Sequence, residues 1–160
     1  MTGIFDTHAH YDDEAYNEDR EEVLRELPSQ GILRVVNIGA GIASCKSTME
    51  LMERYDFIYG AMGIHPQETK GLNEEVITWL KEQCGRKKCV AVGEIGLDYY
   101  WDEPQRQVQK KWFAKQLALA KEMSLPVVIH SREAAEDTID IMRAEKAGET
   151  GGVIHFYSYS

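Results

Sequence analysis

The stretch Cys89-Val90-Ala91-Val92-Gly93-Glu94-Ile95-Gly96-Leu97-Asp98-Tyr99-Tyr100 runs an apolar, β-branched segment straight into a glycine-flanked carboxylate. A short run of this kind bounded by glycine reads as a buried strand, which puts Glu94 inside or at the mouth of a core. A carboxylate stays there only when it is ion-paired, hydrogen-bonded or bound to metal. Taken alone, a nearby Lys or Arg would satisfy Glu94. The rest of the chain, however, repeats the arrangement with histidines.

Working outward, apolar runs alternate with amphipathic segments. Strands are expected at Ile4 to His8, Ile32 to Ile38, Phe57 to Ile64, Val90 to Ile95, Val127 to His130 and Val153 to Phe156. Helices are expected at Asn17 to Gln30, Ala43 to Tyr55, Asn73 to Cys84, Gln105 to Met123 and Arg132 to Ala147. Strands separated by helices in this way read as successive βαβ units and a parallel sheet. In the fourth helix Val108, Trp112, Phe113, Leu117, Ala120 and Met123 fall near a 3.6-residue period and read as helix–sheet packing. Pro104 suits a first-turn position. The acidic run through Asp12, Asp13, Glu14, Glu18, Asp19, Glu21 and Glu22 reads as a solvated helix start.

Composition narrows the class. The 160 residues, 43% hydrophobic and 28% charged, suit a single domain over 1–160 with a sizeable core. No apolar run approaches the roughly 20 residues of a membrane span, and the N-terminus carries no signal-peptide pattern. Cys45, Cys84 and Cys89 then read as reduced thiols of a cytoplasmic protein. A net charge of −9 speaks against a broad basic surface for nucleic acid. It leaves room for a nucleic-acid enzyme whose bound cations supply the positive charge.

All five histidines, His8, His10, His65, His130 and His155, fall at or just past the C-terminal end of an expected strand. That end is where parallel α/β folds build their sites. His8 and His10 flank Ala9, and residues i and i+2 of a strand share a face, so two imidazoles can grip one cation. With Glu94, His130 and His155 on later strand ends, the pattern is a metal-site signature. Imidazole with carboxylate suits Zn²⁺, Mn²⁺ or Fe²⁺, and carboxylate with water also admits Mg²⁺. The two oxygens of Glu94 allow it to bridge a pair of ions.

Asp6-Thr-His-Ala-His10, Gly63-Ile-His-Pro66, the 93–100 block and Leu125-Pro-Val-Val-Ile-His-Ser-Arg132 resemble the TatD family of metal-dependent deoxyribonucleases. The run Gln109 to Ala120, with Phe113, Gln116 and Leu117, also fits, so the resemblance covers the whole chain. It implies a (β/α)₈ TIM barrel of the amidohydrolase type, here truncated after strand six. The implied activity is phosphodiester hydrolysis through a metal-activated water, trimming single-stranded DNA or DNA 3′ ends.

Residue by residue, the resemblance implies two divalent ions (Mg, Mn or Zn). His8, His10 and Glu94 would hold one, His130 and His155 the other, with Glu94 bridging. His65 would lie near the substrate phosphate. Arg132 is a phosphate partner by its two-pronged guanidinium, or else an ion-pair partner of Glu136. Asp6 and Asp98 would orient an imidazole or the substrate end, or cap a strand.

Two departures stand out. The family's sixth-strand motif usually reads His-Cys-Phe-Ser-Gly, where this chain has His155-Phe156-Tyr157-Ser158-Tyr159. Its seventh and eighth strands, the latter carrying an aspartate ligand, have no counterpart in the 160 residues. Open sheet edges would then favour oligomerisation. Two other readings follow: a barrel hydrolase of lactones, amides or phosphotriesters, or a non-catalytic truncated barrel. The 93–100 block favours the nuclease.

Overall fold

The computed structural model describes residues 3–101 and 103–159 and lays six strands into one sheet in chain order. They are β1 (Ile4–Ala9), β2 (Ile32–Ile38), β3 (Ile58–Met62), β4 (Cys89–Asp98), β5 (Val127–Arg132) and β6 (Gly152–His155). Between them run α1 (Arg20–Glu26), α2 (Ile42–Arg54), α3 (Glu74–Cys84), α4 (Arg106–Met123) and α5 (Ala135–Ala144). Every strand pairs parallel with its sequence neighbour, and the sheet curls into a half-barrel.

Alternation along the strands sorts the apolar residues into two layers. Val35, Ile58, Met62, Val92, Ile95, Val127 and Ile129 pack with Leu24, Leu51, Leu80, Phe113 and Leu117 from the helices. Their neighbours Val36, Ile38, Ala61, Ala91 and Val128 form a separate cluster on the other face. Each large side chain so buried contributes about 1.5–3 kcal/mol. The helix layer therefore fixes the curvature that brings the strand ends together.

Local chemistry moves several expected boundaries. α1 is much shorter than Asn17 to Gln30, because Pro28 has no N–H with which to continue the ladder. The chain instead turns through Gly31, at φ +89°, and Ile32 N donates to Leu27 O at 3.0 Å. Pro104 lies outside α4, whose N-cap is Gln105, so the first-turn placement is corrected. Asp12 is not merely solvated: it accepts from Asn37 Nδ2 at 2.8 Å and Ser44 Oγ at 2.5 Å, tying the β1 end to β2 and α2.

The difference that matters most for the strand ends is at β4, which runs on to Asp98 instead of stopping at Ile95. Gly96 is the reason. It takes φ +142° and pairs with His130, at a spot where a Cβ would lie 1.9 Å from the His130 carbonyl oxygen. Only glycine allows that approach. The strand continues, and Asp98 pairs opposite Arg132.

Candidate metal centre

A register shift in β4 aims Glu94. Val92 pairs with Val127 and Ile95 with Ile129, so β4 spends one more residue than β5 over that interval. Val92 and Ile95 both face the helices. The extra residue lets Gly93 and Glu94 both face the opposite side, the side-chain re-aiming that a bulge performs. Glu94 N donates to Gly39 O at 2.7 Å, and the residue is 4% exposed.

The histidines gather round this carboxylate. His8 Nε2 lies 3.6 Å and His10 Nε2 3.7 Å from Glu94 Oε2, and the two ring nitrogens are 3.1 Å apart. On the other side His130 Nδ1 lies 3.1 Å from Glu94 Oε1, while its Nε2 lies 3.1 Å from Asp98 Oδ2. His65 packs against His130 with ring centroids 4.4 Å apart. His155 stacks on His8. Two sets of donor atoms lie close enough to share a cation: His8, Glu94 and His155; and His65, Asp98 and His130.

This grouping crosses the one expected. His130 and His155 are register partners on β5 and β6, yet His155 is gathered with His8 and His65 with His130. Asp6 serves locally, its Oδ1 accepting from His8 N at 3.1 Å. Asp98 does both tasks, facing His130 and accepting from Tyr100 N at 3.1 Å. Arg132 lies over the Tyr100 ring, 3.7 Å from its centroid, and not against Glu136.

The environment also sets protonation. Burial pushes Glu94 up, but the His130 hydrogen bond and the charges of His65, His130 and His8 outweigh it and hold the carboxyl at about 2. Burial, then His155, brings His8 down to about 4; burial, then His130, does the same for His65. His155 is lowered by burial. Burial also works to lower His130, but its contacts with Glu94 and Asp98 prevail and raise it. The result is an ionised carboxylate among mostly neutral imidazoles, a donor set that fits divalent cations.

Two glutamines support the strand ends. Gln116 Oε1 accepts from Ile64 N at 2.8 Å and its Nε2 donates to Ile64 O at 3.1 Å, fixing the backbone beside His65. Gln109 does likewise for Asp98 N and O, at 2.8 and 2.9 Å, and also donates to Pro104 O. Both are fully buried, and their signal was two amides seven residues apart on the apolar face of α4. Tyr159 had no such signal. Its hydroxyl reaches Ser131 Oγ at 2.9 Å and Ala134 N at 3.0 Å, anchoring the segment after β6.

A family model described as TatD related DNase matches residues 5–160. The chain belongs to that family. It is 43% identical over 157 residues to the uncharacterized metal-dependent hydrolase YabD of Bacillus subtilis, covering 98% of this chain and 62% of the relative. The crystal structure of the TatD homologue YjjV from Escherichia coli K12 superposes with a TM-score of 0.88 at 31% identity. That match covers 98% of this chain and 61% of YjjV. The 3'-5' ssDNA/RNA exonuclease TatD of a Rahnella strain is 28% identical over 144 residues, covering 89% of this chain and 55% of the relative. This TatD-family chain thus spans about three-fifths of the length of the curated relatives it matches. Among its described residues no helix is long and apolar enough to cross a membrane.

Proposed function

We propose that the protein is a divalent-metal-dependent phosphodiesterase acting on the 3′ end of single-stranded DNA. The observation that carries this reading is the convergence of five imidazoles on Glu94 and Asp98 at the strand ends. The name of the Rahnella relative supports the choice of substrate. His8, His10, Glu94 and His155 would hold one cation, and His65, Asp98 and His130 a second. When bound, such cations polarise a phosphoryl oxygen and bring the pKa of a coordinated water toward neutrality.

The chain's own residues do the rest. The lowered pKa values keep His8, His65 and His155 unprotonated near pH 7, free to donate lone pairs. Asp98 holds the His130 ring in place and fixes which nitrogen faces Glu94. Arg132 borders a cavity of about 440 Å³ lined also by His130, His155, Phe156 and Ser158, where its guanidinium would meet a substrate phosphate.

The test is degradation of 5′-labelled single-stranded DNA with Mg²⁺ or Mn²⁺, beside Glu94→Gln. Metal-dependent shortening from the 3′ end that the variant loses is the expected result. Equal shortening by both proteins would remove Glu94 from the mechanism. No shortening by either, with turnover of a lactone or phosphotriester instead, would turn the reading to a hydrolase of another bond.

A further inference from the structure

Tyr100 and Trp101 are 49% and 52% exposed, which is unusual for large aromatics. Several other exposed apolar residues, Ile4, Phe5 and Val153, sit on β1 and β6, strands paired on one side only. Tyr100 and Trp101 follow β4, which has partners on both sides, so an open edge does not account for them. The two rings meet edge to face, centroids 4.7 Å apart. The Arg132 guanidinium covers one face of Tyr100. Asp98 Oδ1 holds the Tyr100 backbone, and Tyr99 N donates to Arg132 O at 2.9 Å, so Tyr100 and Arg132 are tied to the strand ends. Arg132 also borders the cavity at His130 and His155, which makes the patch continuous with the candidate metal centre.

We propose that Tyr100, Trp101 and Arg132 form a stacking platform that receives an unpaired nucleobase next to the phosphate to be cut. The chemistry is that of single-strand binding: an aromatic face for the base, a guanidinium within reach of the adjoining phosphate. Trp101 presents the free face, and Arg132, held by its cation–π contact, presents N–H donors toward the cavity. Every base has a π-face, so the platform selects unstacked ends and is indifferent to sequence. A duplex end, whose bases already stack on one another, gains little from it. The choice of ligand rests on the nuclease reading above.

The test measures binding, so it does not depend on turnover. Fluorescein-labelled octathymidylate with a cleavage-resistant phosphorothioate backbone is titrated in Mg²⁺, beside an eight-unit chain of the same backbone lacking every base. Fluorescence anisotropy should show the base-bearing chain binding about tenfold more tightly to the unaltered protein, and Trp101→Ala should bring that ratio close to one. Tyr100→Leu should reduce it as well. Thermal midpoints of both variants are measured alongside, and Trp101→Ala, at an exposed position, should keep that of the parent. Equal binding of the two chains by the unaltered protein, no binding of either, or a ratio unchanged in a folded Trp101→Ala protein would each overturn the platform. A preserved ratio in the parent with no hydrolysis of ordinary octathymidylate would overturn the nuclease reading and leave the platform standing.

Discussion

His8 and His155 lie stacked with ring centroids 3.6 Å apart and planes 7° from parallel, although they come from strands at opposite edges of the sheet. Protonating both rings would set two like charges face to face, and burial works in the same direction. Burial and the neighbouring ring thus hold the folded His8, and burial with His130 the folded His65, down at about 4 against 6.5 for an unconstrained histidine.

A pH dependence follows. Between about 6.5 and 4 the unfolded chain binds protons at these positions that the folded chain refuses, so stability is full above 6.5 and falls on acidification. His130, whose value is raised, acts oppositely: its contribution is present at low pH and is lost as pH rises through its folded value. The depressed histidines outnumber it. The thermal midpoint of the metal-free protein should therefore drop between pH 7 and 4.5, and His65→Asn should drop less. Parallel curves for the two proteins would show that His65 is not a source of the loss.

Cation binding should be visible without any substrate. At about a hundred times its dissociation constant, a ligand specific to the folded state adds about 2.7 kcal/mol. For a domain of this size that is roughly 5–10 °C in thermal midpoint. Mn²⁺ should raise the midpoint of the parent by such an amount, and Glu94→Gln should abolish most of the rise. A variant stabilised as much as the parent would show that the cation binds elsewhere.

Gly96→Ala should be among the most damaging small changes. Its methyl group would press on the His130 carbonyl, and φ +142° is hostile to any side chain. A loss of about 3 kcal/mol is expected, combining overpacking with backbone strain. Urea unfolding would measure it; a change under 1 kcal/mol would mean that β4 and β5 separate easily at this point.

Gln116→Leu keeps the volume but leaves the Ile64 N–H and C=O buried without partners. The cost should be about 2–4 kcal/mol, read as a lower urea midpoint. Because Ile64 precedes His65, the Mn²⁺-induced rise in midpoint should shrink too. A stable variant with a full Mn²⁺ response would show that α4 does not hold the His65 backbone.

Much of this architecture was legible in the residues. Strand and helix periods depend on neighbours a few positions apart, so the alternation of β-branched runs with amphipathic segments yielded the parallel βα order directly. Histidines confined to strand ends marked the candidate site for the same reason, since the position of a residue along its strand is a local property. Boundaries failed where a single residue overrode the pattern, as Pro28 shortened α1 and Gly96 prolonged β4.

What a strand-end residue faces is decided by its partners across the sheet. The register shift against β5, which turns Glu94 from the helix layer into the site, exists only once the two strands are paired. Sheet curvature then places His155 beside His8 and His65 beside His130, a grouping that strand order alone does not contain. Gln109, Gln116 and Tyr159 acquire their roles in the same way, because a buried amide or hydroxyl must find whatever backbone group the fold brings within reach. The sequence by itself determined which potential donor residues lie at the strand ends; tertiary packing alone decided which of them meet, because hydrogen bonds and donor groupings depend on distances that chain separation does not encode.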